Sequence, residues 1–169
     1  ASAIFADVTP PAIATFALDL DVGTLTLAFD EVVDLRTLDV DALTFQSARF
    51  NDGVGTRRVS GDNGTEVAFA AFNVNTNATT VVVTLGRDDL DAIKALGGVG
   101  LALDASSTYL SHDPGLVSDV FGNDAVRIWD YAAIGPAANW TADATPPRLL
   151  AVSKVSSTKK ILYALFDEP

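Results

Sequence analysis

The chain has no cysteine and no methionine, one histidine, and half as many basic as acidic residues. Without cysteine there are no disulfides, no thiolate nucleophile and no cysteine-ligated zinc. Such a unit must fold on burial alone, and it cannot cross-link to a neighbour by mistake. The lone histidine, His112, falls in "YLSHDPG", which reads as a solvated loop. Ser111, His112 and Asp113 are contiguous, and adjacent residues rarely face one another, so they do not make a triad. Carboxylate pairs are plentiful, yet no apolar pocket is legible around any of them, and a glycosidase is not expected either. No catalytic residue emerges. Eleven Lys and Arg against 22 Asp and Glu give a net charge of −11 and a pI near 4.2. That balance excludes nucleic acid, whose phosphates require a basic face, whereas it suits cations and keeps an apolar-rich chain soluble. No apolar run approaches the ~18–20 residues of a bilayer span, and "ASAIFADVTPP" lacks the basic and long apolar regions of a signal peptide.

What is present is apolar material in short alternating runs. Of 169 residues 49% are hydrophobic, enough for one core of ordinary domain size. In "TLTLAFDE", Leu25, Leu27 and Phe29 point one way and Thr24, Thr26 and Ala28 the other, the period of a half-buried strand. Similar runs are "ALTFQSARF", "TEVAFAAF", "TTVVVTLG", "VGLALD" and "DAVRIWDY". Turn chemistry separates them at Asp21-Val22-Gly23, Asn51-Asp52-Gly53, Asp62-Asn63-Gly64 and Phe121-Gly122-Asn123, where Gly and Asn tolerate positive φ. The expectation is an all-β sandwich of seven to eight strands. One helix is expected at 88–96, where Leu90, Ile93 and Leu96 share a face and Asp88 can cap the N-terminus, with Asp89 and Asp91 following. "DLRTLDVDAL" has the look of a further helical turn.

The chain also repeats itself. "TPPAIATFALDLDVGTLTLAFDE" begins at Thr9, and "TPPRLLAVSKVSSTKKILYALFDE" begins at Thr145, 136 residues on; Phe29-Asp30-Glu31 recurs as Phe166-Asp167-Glu168, 137 residues on. One residue has therefore been inserted in the second copy, and the hairpin turn is the expected place for it. The flanks "FADVTPP" and "WTADATPP" align Phe5 with Trp140 and Asp7 with Asp143. Residues 1–8 thus read as the tail of a preceding unit, 9–144 as one unit, and 145–169 as the first hairpin of the next. A period this long suits domains strung in an array, not a solenoid.

On "TPP…LTLAFDE" and "VSDVFGNDAV" the chain resembles the bacterial-type immunoglobulin-like repeats of large cell-surface and adhesin proteins. Those start near Thr-Pro-Pro, carry a Leu-Thr-Leu-x-Phe-Ser-Glu-Pro strand and end in an Asp-x-x-Gly-Asn hairpin. The middle, "VTLGRDDLDAIKAL…STYLSHDPGLVSDVFGNDAV", looks closer to the variant in giant surface proteins of algae and other protists. The likeness covers most of 9–130. Asp30 stands where Ser is usual, and Val32 where Pro is usual, a position that Pro169 fills in the second copy. The resemblance implies an immunoglobulin-like fold and a non-enzymatic role in an extracellular filament or at a cell surface, as spacer, stiffener or adhesive element, with neighbouring repeats as partners. A module that binds carbohydrate or protein is the alternative.

Three sets of residues are candidates for sites. Asp19 with Asp21, Asp30 with Glu31, and Asp119 with Asn123 and Asp124 offer loop oxygens of the kind calcium takes, though none matches an EF-hand and all have simpler roles in turns and strand ends. Asn63, Asn77 and Asn139 begin Asn-x-Thr sequons, each expected in a turn or linker, which would carry glycan in a secreted eukaryotic protein. Trp129, Tyr131 and Trp140 lie close in sequence near the end of the unit, as a sugar platform or as packing at the joint between units.

Overall fold

The computed structural model describes residues 6–51, 53–61, 66–68, 77–137, 139–156 and 161–169. These are mostly β, arranged in several sheets. β1 (Ile13–Asp19) and β2 (Thr24–Asp34) form an antiparallel hairpin. Leu25, Leu27 and Phe29 of β2 are buried as the alternation required. In β1 the buried residues are Ile13, Phe16 and Leu18, and the odd spacing from 13 to 16 is accommodated by a shift in register between Ile13 and Thr15. An extra residue there lets both side chains face the same way. Gly23 closes the turn with φ +72°, a conformation that favours glycine, and a Cβ on it would stand 2.8 Å from Leu90 Cδ2, which would have to shift.

The sheet is completed by β5 (Glu66–Ala68), β6 (Asn77–Thr84) and β9 (Trp140–Thr141) in the order β5-β6-β2-β1-β9, with β8 (Ser118–Asp119) pairing the far end of β2. β9 runs parallel to β1, setting Trp140 beside Leu18. A second sheet has the order β4-β3-β7, from β3 (Leu43–Gln46), β4 (Thr56–Arg58) and β7 (Tyr109–His112). Side chains of both sheets enter one apolar cluster, including Phe16, Leu27, Val81 and Val83 from the first and Leu43, Phe45 and Leu110 from the second.

The helix α1 spans Arg87–Ala95 and continues as a 3₁₀ turn to Val99. Ile93 is fully buried, and Leu90 and Leu96 pack against the core. Gly86, not Asp88, holds the N-cap position; Asp88 and Asp89 occupy the first turn. "DLRTLDVDAL" forms two 3₁₀ turns, Leu35–Thr37 and Val40–Ala42, capped by the side chains of Asp34 and Asp39.

Two expected strands are absent. In "VGLALD", Gly100 at φ +95° ends the helical segment and Asp104 caps a further 3₁₀ turn, Ala105–Ser107, so turn chemistry overrides the alternation. "DAVRIWDY" makes isolated bridges, Ser118 to Asp124 and His112 to Ile128, in place of a ladder. Its amides are shared among segments: Ala125 donates to Val117 O and Val126 to Pro11 O. "ALTFQSARF" is a strand only to Gln46, whose buried amide turns back to Ala48 O, Arg49 O and Asp130 O. Between 9 and 144 the described residues hold nine strands, β8 and β9 being two residues each, rather than seven or eight. Asn63 and the Asp62-Asn63-Gly64 turn lie outside the described residues, as does most of "TEVAFAAF".

The second copy of the repeat is a hairpin of its own, β10 (Leu149–Ser156) with β11 (Ile161–Phe166), and its ladder joins no other described sheet. It reproduces the first in detail. Ile13 pairs with Phe29, and Leu149 with Phe166; each is followed by a register shift at the same place. Asp30 Oδ1 accepts the Ala12 amide at 2.7 Å while its own amide donates to Ala12 O at 3.0 Å. Asp167 does the same to Arg148, at 2.6 and 3.1 Å. The inserted residue is not in the turn. Asp19 faces Thr24 and Ser156 faces Ile161 across connections of equal length, and a second register shift between Val152 and Lys154 absorbs the addition. A bulge takes up one residue at a cost local to the ladder, whereas a longer turn would change the hairpin type. Burial separates the copies. Ile13, Phe16 and Phe29 are 7%, 1% and 6% exposed; their counterparts Leu149, Val152 and Phe166 are 55%, 51% and 46% exposed.

Candidate functional site

The seven proposed calcium ligands divide between the two ends of the β1–β2 hairpin. At the turn end, Asp19 Oδ1 accepts the amides of Asp21 and Val22 at 3.0 and 3.1 Å and so braces the turn. At the other end, some six residues along β2 and roughly 20 Å away, Glu31 lies beside Asp119 and Asp7, with one carboxylate oxygen of each within 4.8 Å of the others. Asp7 was not among the residues picked out by sequence, although its alignment with Asp143 was legible. Asp30 is occupied with Ala12, and Asp124 Oδ1 accepts the Ser118 hydroxyl at 2.8 Å.

Asp119 organises this acidic end. Its Oδ1 accepts the amides of Phe121 and Asn123 at 2.8 and 2.7 Å, and Oδ2 accepts Asn123 Nδ2 at 2.8 Å. Asn123 Nδ2 also donates to Asp7 O at 3.2 Å, tying the segment before β1 to the β8 turn. Burial alone would raise the Asp119 pKa, but these hydrogen bonds outweigh it and hold the carboxyl below its ordinary value. Glu31 has no such donors among the described residues. Burial first, then the charges of Asp7, Asp119 and Asp30, push its pKa up.

At the turn end the second hairpin meets the first unit. Asp21 Oδ1 accepts the Ala144 amide at 3.0 Å and the Thr145 hydroxyl at 2.8 Å, which lowers its pKa. Lys94, at the end of α1, places Nζ 2.9 Å from Asp143 Oδ2 and 2.8 Å from Glu168 Oε2. Burial opposes its charge, yet the hydrogen bonds to Glu168 and Asp143 prevail and the pKa is raised. Asp143 Oδ1 accepts the Thr145 amide at 3.1 Å, as Asp7 Oδ1 accepts that of Thr9 at 3.0 Å.

His112 is not a solvated loop residue. It belongs to β7 and is 2% exposed. Its Nδ1 lies 2.8 Å from Asp113 O, and Nε2 is buried. Burial lowers its pKa. It lines a cavity of about 150 Å³ with Asn51, Asp113, Arg127 and Asp130. The Ser111 hydroxyl donates to Gln46 Oε1 at 3.0 Å, and so turns to a neighbouring strand rather than to His112. Nearby, Trp129 and Tyr131 stack with centroids 5.6 Å apart and both are exposed; the Arg127 guanidinium sits 3.8 Å from the Trp129 ring centre. Trp140 is not part of this group, because β9 carries it to β1 and the core.

No family model, curated protein or solved structure matches the chain.

The sequons are placed in part. Asn139 is exposed outside any strand. Asn77 is the first residue of β6, opposite Asp34, and not in a turn. The residues that sequence reasoning missed are Asp7, Lys94 and Asp143. Their signal was the alignment of the two Ala-Asp-x-Thr-Pro-Pro flanks, which placed Asp143 and Asp7 at matching positions; nothing local marked Lys94.

Proposed function

We propose that residues 9–144 are one immunoglobulin-like β-sandwich repeat of an extracellular filament or giant cell-surface protein. In this reading residues 1–8 are the tail of a preceding repeat and 145–169 the first hairpin of a following one. The unit has no enzymatic task; it sets spacing and stiffness, and presents a surface for adhesion. The observation that carries the reading is the recurrence of one hairpin in one chain, with the same clasp and bulge, buried in one copy and exposed in the other. A hairpin whose apolar face is uncovered is marginal in water and needs further strands. Two sheets feeding one core support the sandwich.

A mechanical unit should resist force. Stretching single molecules that carry several copies of 9–144 is expected to give evenly spaced unfolding events, each releasing roughly 450 Å, the extended length of one unit less its folded span. Smooth extension without such events would contradict the reading.

The alternative, a carbohydrate- or protein-binding module, is favoured by one feature, the exposed Trp129–Tyr131 stack beside a polar cavity. Aromatic faces next to hydrogen-bonding groups suit sugars. A glycan array probed with the native chain and with Trp129→Ala tests it: binding lost in the variant supports the module, and no binding by either removes it.

A further inference from the structure

The two ends of the unit are chemically complementary. One end carries Asp21 and Lys94, and both are engaged by the second hairpin. The other carries Asp7, Thr9 and Glu31, which occupy in the first hairpin the places that Asp143, Thr145 and Glu168 occupy in the second. We infer that the Asp7–Glu31–Asp119 cluster is the docking surface for the Lys94 of a preceding copy of this unit, so that one ammonium group locks each joint. The inference rests on the tandem reading above.

The equivalence is geometric as well as textual. Asp7 braces Thr9 as Asp143 braces Thr145. Asp30 clasps Ala12 as Asp167 clasps Arg148. Glu31 and Glu168 each directly follow that clasping aspartate. With the flanking geometry the same, Glu31 and Asp7 stand to their hairpin as Glu168 and Asp143 stand to theirs, and the latter pair grips Lys94 at 2.8 and 2.9 Å. The acidic cluster alone would carry no such claim. Its counterpart holding a cation does.

Charge and burial agree. Glu31 is faced by Asp7, Asp30 and Asp119 with no described base among them, and its pKa is raised, by burial first and then by those charges. At the occupied joint the side chains of Lys94 and Glu168 are only 12% and 10% exposed. A pair so far removed from water tolerates little displacement, because either charge left alone is costly. The joint therefore has a preferred angle. Glu168 Oε1 is also buried with no partner among the described residues, which leaves that carboxylate able to accept a further donor. Asp21 would take the same part at each joint, accepting the Thr9 hydroxyl of the following copy as it accepts that of Thr145 here.

Two arms test the inference. In the 169-residue chain, Lys94→Met and Glu168→Gln should each lower the melting temperature, and the double variant should lose clearly less than the sum. In a chain with residues 9–144 present twice before Thr145, Lys94→Met in the first unit and Glu31→Gln in the second should be coupled in the same way. Exchanging the charges, Lys94→Glu with Glu31→Lys, should restore the narrow interdomain angle distribution seen by X-ray scattering. Additive effects in a two-unit chain that keeps a fixed angle would overturn the lysine joint while leaving the tandem reading intact. A two-unit chain whose units move independently would overturn both. If calcium added alone shifts the carboxyl resonances of the first unit's Asp143 and the second unit's Glu31 and Asp119 at the joint, and Lys94 shows no coupling there, the cluster serves a metal and the inference fails.

Discussion

Asp89 lies on the first turn of α1 with its carboxylate almost wholly buried, and Oδ1 stands 2.5 Å from Arg57 Nη2 on β4. Its other oxygen accepts the Ser60 amide at 2.7 Å. One side chain thus holds the helix to the second sheet, and its charge also favours the helix N-terminus. Removing it would strand a partly buried guanidinium and an amide. Asp89→Ala should cost about 3 kcal/mol in urea unfolding, in the range for breaking a buried pair. A change below ~1 kcal/mol would mean that the contact is solvated.

The two phenylalanines of the repeat make a matched pair. Phe29 is 6% exposed and Phe166 46%. Phe29→Ala should cost about 3–5 kcal/mol through lost burial and the cavity left behind, whereas Phe166→Ala should stay within ~0.5 kcal/mol, as surface changes do. Equal losses in equilibrium unfolding would show that both hairpins belong to one core.

The contrast between those residues also shows what was legible. The strand β2 could be read because Leu25, Leu27 and Phe29 alternate with polar or small neighbours and tertiary packing follows that period. "VGLALD" has the same alternation, but the backbone is claimed by Gly100 at positive φ and by the Asp104 cap, both turn features that a count of apolar residues ignores. His112 looked exposed because His-Asp-Pro-Gly is loop chemistry; its burial depends on Ile128 and the 127–130 segment crossing over β7, a contact between distant residues. The acidic end was half legible. Glu31 was marked as the end of a strand, which in fact runs on to Asp34, and Asp119 and Asn123 by local turn chemistry, while the convergence of Asp7 upon them is set only when β8 pairs with β2.

Glu31 gives a pH dependence with a definite sign. Its folded-state pKa is raised above the ordinary 4.5, so the folded protein binds the proton more tightly than the unfolded chain. The stability gained is fully present below about pH 4.5 and is lost as pH rises through the raised value. Glu31→Gln is expected to raise the melting temperature of the 169-residue chain at pH 7, with the advantage vanishing near pH 4. No gain at pH 7 would show that neither burial nor the neighbouring carboxylates disfavour its charge.

His112 acts in the opposite direction. Burial depresses its pKa below the ordinary 6.5, and its contribution, present above that value, is lost as pH falls toward the depressed one. Unfolding followed between pH 7.5 and 5 should show stability declining on the acid side, and His112→Gln should flatten the decline. An unchanged slope in the variant would assign the decline to other groups.

The central claim is that the hairpin of residues 9–31 closes its own unit and leaves no vacancy for the second. Comparing equilibrium unfolding of the 169-residue chain with that of a chain ending at Pro147 tests it most directly. Lys94 keeps Asp143 in the shortened chain and loses one charged hydrogen bond, so a loss of no more than about 2 kcal/mol is expected. A loss of ~5 kcal/mol or more, or failure to fold, would place the second hairpin inside this unit and contradict the division of the chain.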